Sequence, residues 1–128
     1  MNIMPEKISL DDTIKTISGM LKYVHNNKNG EVDLEYLSAV SNLSLEFVQS
    51  VIELFVANEV LKIKFIEETF LKFEFLAPKE MQVIKEHSLF KDVQQTFDEM
   101  IDFRQRLFEI PLDEIYKLCS EEPELVEV

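Results

Sequence analysis

The spacing of apolar residues changes twice along this chain of 128 residues, and this change limits the possible folds more than any other feature. From Leu10 to about residue 57, apolar residues recur three or four positions apart, as they do on one face of an α-helix. From Leu61 to Phe75 they mostly alternate with charged residues, which is typical of β-strands. The helical spacing returns after Pro78. The sequence therefore predicts a mainly α protein with one small β-hairpin.

Three helices are predicted before the hairpin, and each follows a residue that can cap a helix N-terminus. Ser9, with Asp12 three positions later, matches a capping box, and Asp33 and Ser44 are good N-caps for the next two helices. The Asn-rich stretch that ends at Gly30 predicts the end of the first helix, because Asn and Gly tolerate left-handed backbone. The buried stripe of the first helix is predicted to be Leu10, Ile14, Ile17, Leu21 and Val24.

The alternation in the predicted hairpin also assigns its aromatic residues to faces. Phe65, Phe73 and Phe75 share the parity of the apolar positions, so we expect all three in the core. Phe70 has the opposite parity, and we expect it on the outer face with the lysines.

A helix of about 20 residues is predicted to begin near residue 90, with shorter helices before it, in residues 79–87, and after it, from Pro111. The chain then divides into a domain of residues 1–78 and a C-terminal extension of residues 79–128 that ends in an acidic tail. The apolar stripe of the long helix is larger than a small three-helix domain needs, and we expect it to form a homodimer contact. The alternative is that the helix folds back onto its own domain. The stripe consists of Phe90, Val93, Phe97, Met100, Ile101, Leu107 and Phe108, with Arg104 inside it.

Charge and composition restrict the partners. Asp and Glu number 25 against 13 Lys and Arg, so the net charge of −12 repels phosphate and anionic lipid unless a local basic face exists. The single cysteine, Cys119, excludes an internal disulfide. The sequence shows neither a basic start followed by an apolar run nor an apolar stretch of about 20 residues, so we expect a cytoplasmic protein without a membrane span.

The middle of the chain combines three local patterns: the helical pair Leu34 and Leu37, the turn Asn42-Leu43-Ser44, and the third-helix positions Val48, Ile52 and Phe55. With these patterns, residues 32–76 resemble the winged helix-turn-helix superfamily, and the predicted first helix extends the resemblance to residues 9–76. This resemblance implies a helix-turn-helix followed by a hairpin, the wing, with the long helix as a C-terminal extension. In DNA-binding members, the third helix enters the DNA.

The predicted third helix carries the wrong charge for DNA. Its outward positions and flanks are Glu46, Phe47, Gln49, Ser50, Glu53 and Leu54, with no lysine or arginine among them. A glutamate about 7 Å from a phosphate is repelled by roughly 2 kcal/mol at an effective dielectric constant of about 20. Apolar anchors with an acidic rim suit a protein interface better. The alternative is that Phe47 and Leu54 pack beneath a neighbouring helix.

These observations favour a non-catalytic protein-interaction module of a cytoplasmic assembly, for example one associated with transcription or chromosomes. A first alternative is a DNA-binding regulator that uses the third helix and the wing lysines Lys62, Lys64 and Lys72. A second is a small-ligand sensor with a pocket between the long helix and the domain. We expect no enzyme, metal or cofactor, because His25 and His87 are isolated and no nucleophile or phosphate-binding motif is present.

Overall fold

The computed structural model describes residues 9–109, with side chains described as far as residue 106. Its elements are α1 (Leu10–Asn27), β1 (Glu31–Asp33), α2 (Leu34–Ser41), α3 (Leu45–Ala57), β2 (Leu61–Glu67), β3 (Phe70–Phe75), α4 (Met81–Glu86) and α5 (Phe90–Glu109). The protein is mainly helical, as predicted, and the predicted hairpin is part of a three-stranded antiparallel sheet that also contains β1. The predicted helix after Pro111, the acidic tail and Cys119 lie outside the described residues.

All three predicted N-caps are confirmed. The Ser9 hydroxyl accepts a hydrogen bond from the Asp12 amide at 3.4 Å, and the Asp33 carboxylate accepts one from the Glu35 amide at 2.9 Å. The Ser44 hydroxyl accepts one from the Phe47 amide at 3.2 Å. Each side chain satisfies a backbone donor that the first turn of a helix would otherwise leave without a partner.

The connection from α1 to the sheet depends on one glycine. Gly30 has φ of 72°, in the left-handed region, and a Cβ atom built on it would lie 2.1 Å from the carbonyl oxygen of Phe73. The Gly30 amide donates to the Val24 carbonyl at 3.1 Å, and the Gly30 carbonyl accepts from the Phe73 amide at 2.9 Å. Only glycine allows β3 to approach this turn so closely.

The three strands are arranged in the order β1-β3-β2, so β1 and β2 form the two edges of the sheet. A β-bulge interrupts the pairing of β2 with β3: Ile63 lies opposite Phe73, but Phe65 lies opposite Lys72. The extra residue, Lys64, reverses the alternation beyond it. Phe65 therefore faces outward and is 49% exposed, so its predicted place in the core is wrong, whereas Phe73 is buried as expected.

One continuous core joins α1, α2, α3, the sheet, α4 and α5. The C-terminal helix contributes Val93, Phe97 and Met100 to it, and the rings of Phe97 and Phe47 lie with their centroids 5.6 Å apart. In the described part of the chain, α5 is thus packed as part of the same core as the residues before Pro78.

Candidate binding groove

The outward face of α3 lacks the apolar anchors that were predicted for it. Phe47 and Leu54 are both 0% exposed, so they do not lie on the surface and cannot anchor a partner there. Glu46 and Glu53 are exposed, and Gln49 and Ser50 are partly exposed. The remaining surface of α3 is therefore acidic and polar.

The long helix α5 covers the flank of α3 that carries Phe47. Besides the contact between Phe97 and Phe47, the Ser44 amide donates a hydrogen bond to the Met100 sulfur at 3.3 Å. The Arg104 guanidinium donates to the carbonyl of Asn42, the left-handed residue that ends α2. Arg104 therefore ties α5 to the turn between α2 and α3, rather than projecting away from the domain.

The stripe that was predicted to form a homodimer is largely occupied within the chain. Val93, Phe97 and Met100 are buried, and Phe90 and Ile101 are partly buried against the same core. The structure thus corresponds to the alternative in which the helix folds back onto its own domain. The remaining members of the stripe, Leu107 and Phe108, have side chains outside the described part.

The three wing lysines lie on the hairpin, but two of them face acids at close range. The Lys64 ammonium lies 3.8 Å from the Glu74 carboxylate, and the Lys72 ammonium lies 3.6 Å from that of Glu31. Lys62 is exposed and has no ion-pair partner among residues 9–106. Because neighbouring acids offset most of this positive charge, the hairpin offers little net attraction for phosphate.

A concave surface of about 840 Å³ lies elsewhere, as a groove between α1 and α2. We call it the α1–α2 groove. Its lining comes from three elements and from Lys28, which follows α1. The lining residues of α1 are Thr16, Gly19, Met20, Tyr23 and Val24, those of α2 are Tyr36, Leu37 and Val40, and all three residues of β1 take part.

The α1–α2 groove has an apolar rim that is open to solvent. Tyr23 is 60% exposed, Tyr36 is 67% exposed and Val40 is 53% exposed. Tyrosine provides a large apolar ring with a polar hydroxyl. It is frequent at binding surfaces, which are exposed to solvent until the partner binds. The sequence did not predict this site, because its residues come from three elements and most of those from the helices lie outside the predicted buried stripes.

Gly19 is the residue of this groove that the fold does not explain. It lies near the middle of α1, where glycine is less favourable than alanine by about 1 kcal/mol. A Cβ atom at this position would meet nothing within 4 Å. No packing contact in the described residues therefore requires a glycine here. A glycine on the outer side of a long amphipathic helix was the one signal in the sequence that could have indicated the groove.

A second, more polar depression of about 330 Å³ lies between the start of α1, the turn before α3 and Arg104. Arg104 is the lining residue that comes from α5, and a small-ligand pocket between the long helix and the domain stays a prediction. Within residues 9–109, no group of three or more His, Cys, Asp or Glu residues is arranged to hold a metal ion.

No single helix in residues 9–109 is both long enough and apolar enough to cross a membrane; α2 and α3 pass that test only as a pair, which is bent by 112°. Comparison of the chain with protein-family models, curated proteins and solved structures finds no match.

Proposed function

We propose that this chain is a non-catalytic protein-interaction module with a winged-helix architecture, and that it binds an apolar segment of a partner protein in the α1–α2 groove. The order of elements, the sheet order β1-β3-β2 and the 112° turn between α2 and α3 support the architecture. The architecture by itself does not specify the function, which depends on the surfaces it presents.

The proposal rests on one observation: the groove is open and apolar, and its wall contains a glycine. A pocket lined mainly by apolar and aromatic residues is the default candidate for a binding site. Gly19 keeps the wall of this groove low although the helix would be more stable with a side chain there. An occupant that approaches the backbone of α1 closely would account for a glycine at this position.

The rest of the surface supports a protein partner rather than a duplex. The exposed part of α3 carries Glu46 and Glu53, and two of the three wing lysines lie beside acids. Affinity for DNA depends mainly on neutralised phosphates, and these surfaces neutralise few of them.

The test is selection of peptides from a random display library on the wild-type chain, followed by binding measurements on each enriched peptide. We expect enriched peptides to bind the wild type and to lose at least tenfold in affinity against Gly19→Gln, because glutamine is a good helix former whose side chain would enter the groove. Lys22→Gln is the matched control, since Lys22 is exposed on α1 but does not line the groove. Peptides that bind both variants equally would disprove the assignment of the groove.

A second measurement separates this proposal from DNA binding. We expect no mobility shift of a random duplex at about 0.15 M salt, where proteins with many phosphate contacts still bind. A shift with a steep salt dependence, strengthened by replacing Glu46 and Glu53 with glutamine, would instead identify α3 as the functional surface.

A further inference from the structure

The α1–α2 groove borders a sheet edge, and the pairing of β1 shows which of its backbone groups face that edge. The Leu34 amide donates to the Thr69 carbonyl at 2.8 Å, and the Phe73 amide donates to the Gly30 carbonyl at 2.9 Å. In an antiparallel ladder, alternate residues form hydrogen bonds with the neighbouring strand. Since Val32 lies opposite Leu71 in the same ladder, the backbone groups of Glu31 and Asp33 point to the other side, away from β3.

Glu31 and Asp33 each have one amide and one carbonyl, and two of these four groups already have partners. The Glu31 amide donates to the Lys28 carbonyl at 3.1 Å. The Asp33 carbonyl belongs to the N-cap residue of α2, which accepts the first hydrogen bond of that helix. The Glu31 carbonyl and the Asp33 amide remain, and none of the turn, loop or cap hydrogen bonds within residues 9–109 involves either of them. The acceptor, on Glu31, precedes Val32, and the donor, on Asp33, follows it.

The two edges of the sheet differ in how open they are to another strand. The edge strand β2 carries Lys62, Lys64 and a bulge, and these features discourage the addition of a strand. The other edge strand, β1, lies against the groove, and all three of its residues line the groove. Strand addition is therefore favoured at β1, where main-chain hydrogen bonds and apolar burial can act together.

The side chains of β1 indicate the chemistry of the added strand. Glu31 and Asp33 are exposed on the outer face of the sheet, and Val32 between them is buried. Residues directly opposite each other in a ladder share a face, so a strand beside β1 would place one residue toward the groove and its two neighbours beside these carboxylates. Opposite charges at such positions are favourable. The Asp33 carboxylate has no Lys or Arg partner within residues 9–106, whereas the Glu31 carboxylate already lies 3.6 Å from the Lys72 ammonium, and the chain as a whole carries a charge of −12.

We propose that the occupant of the α1–α2 groove is an extended, basic segment of another protein, with alternating apolar and Lys or Arg residues, that pairs with the free edge of β1. The Asp33 amide donates to a carbonyl of this segment, and the Glu31 carbonyl accepts from one of its amides. The apolar side chains enter the groove between Tyr23 and Tyr36, and the basic ones lie beside the carboxylates. This inference rests on the proposed function of the groove and adds the conformation and charge of what binds there.

The probe is a capped heptapeptide in which lysine and isoleucine alternate, titrated into the full chain labelled with ¹⁵N. We expect the amide signal of Asp33 to move downfield, as in formation of a hydrogen bond. At a peptide concentration about ten times Kd, exchange of this amide with solvent should slow roughly tenfold, because only the free fraction exchanges. Gly19→Gln should weaken binding at least tenfold, and Lys22→Gln should leave it unchanged.

Two N-methylated versions of the peptide test the strand pairing. One is methylated on the lysine amides and the other on the isoleucine amides, and alternate amides of a strand point to opposite sides. We expect one version to lose at least tenfold in affinity and the other to bind as the parent does. Equal binding of both versions would overturn strand pairing, and so would an Asp33 amide that does not respond. A glutamate-for-lysine peptide that binds as well as the parent would overturn the assigned charge.

A helix-stapled peptide with the same apolar content separates the two proposals. If it binds in the groove, with affinity lost in Gly19→Gln, while the extended peptide does not bind, strand pairing is wrong and the proposed function stands. If the extended peptide binds and the display library yields peptides sensitive to Gly19→Gln, both are supported. If no peptide of either kind responds to Gly19→Gln, the groove is not the binding site and both are wrong.

Discussion

Replacing Gly19 with alanine should stabilise the fold and weaken partner binding at the same time. The position lies near the middle of α1, its φ is not in the left-handed region, and an added Cβ atom would meet nothing within 4 Å. Alanine is favoured over glycine in a helix interior by about 1 kcal/mol, part of which comes from the smaller conformational freedom of the unfolded chain. No steric cost in the described structure opposes this gain. We therefore expect the free energy of unfolding to rise by about 0.5–1 kcal/mol.

The measurement is urea unfolding of the wild type and the variant, followed by circular dichroism. The midpoint should rise while the slope with denaturant stays constant, because the surface exposed on unfolding hardly changes. In a thermal scan, 1 kcal/mol corresponds to an increase in Tm of about 4–8 °C for a domain of this order of size. Lys22→Ala is the matched control, and since lysine is already a good helix former it should change stability by only a few tenths of a kcal/mol.

A loss of stability in Gly19→Ala would refute this reasoning. It would mean that the groove is filled in the folded chain itself and that the glycine is needed for that contact. A gain in stability with unchanged binding of the selected peptides would refute only the functional part, because the missing Cβ atom would then have no consequence for an occupant.

Three further predictions concern the packing, and each is checked by chemical unfolding. Phe97→Ala should reduce stability by about 3–5 kcal/mol because its ring is buried against α3. Phe103→Ala, at an exposed position of the same helix, should stay within about 0.5 kcal/mol of wild type. Similar losses in both variants would contradict the packing of α5 against α3. Phe73→Ala should likewise reduce stability by about 3–5 kcal/mol, and Phe65→Ala by less than about 1 kcal/mol, unless the bulge in β2 is absent. Gly30→Ala should reduce stability by at least about 2 kcal/mol, from left-handed strain and overlap with the Phe73 carbonyl; a neutral result would contradict the close approach of β3.

Local sequence signals predicted the secondary structure well because each depends on neighbouring residues alone. The N-caps Ser9, Asp33 and Ser44 occupy the predicted positions. Four of the five residues of the predicted stripe of α1 are buried, and Leu10 is partly buried. Capping and helical periodicity are set by contacts within about four residues along the chain. The mainly helical content and the position of the hairpin follow from such signals.

The place of Phe65 could not be predicted in this way. The alternation from Leu61 to Phe65 is regular in the sequence, and nothing in it indicates that Lys64 will be the extra residue of a bulge. A bulge is decided by how the two strands align, which depends on the turn between them and on the packing of β3 against the helices. A single inserted residue then reverses the face of every position beyond it.

For the apolar surpluses of α3 and α5, contact with a separate chain and packing within this chain were both open from the sequence. The structure packs Phe47 of α3 against Phe97 of α5, with the ring centroids 5.6 Å apart. From sequence alone, an apolar stripe states that a face must be covered, but not by which partner. Burial within the same chain involves no loss of translational freedom, and it is the arrangement to be preferred when two unmatched stripes occur in one short sequence.

The two glycines of this chain differ in whether the described fold explains them. Gly30 is explained by its own backbone, since its φ is positive and β3 passes too close for any side chain. Gly19 has ordinary helical backbone and open space beside it. Glycine destabilises the helix at this position, and no contact within the described residues compensates for that loss of stability. We infer that an occupant that approaches α1 along the groove beside β1 accounts for this glycine.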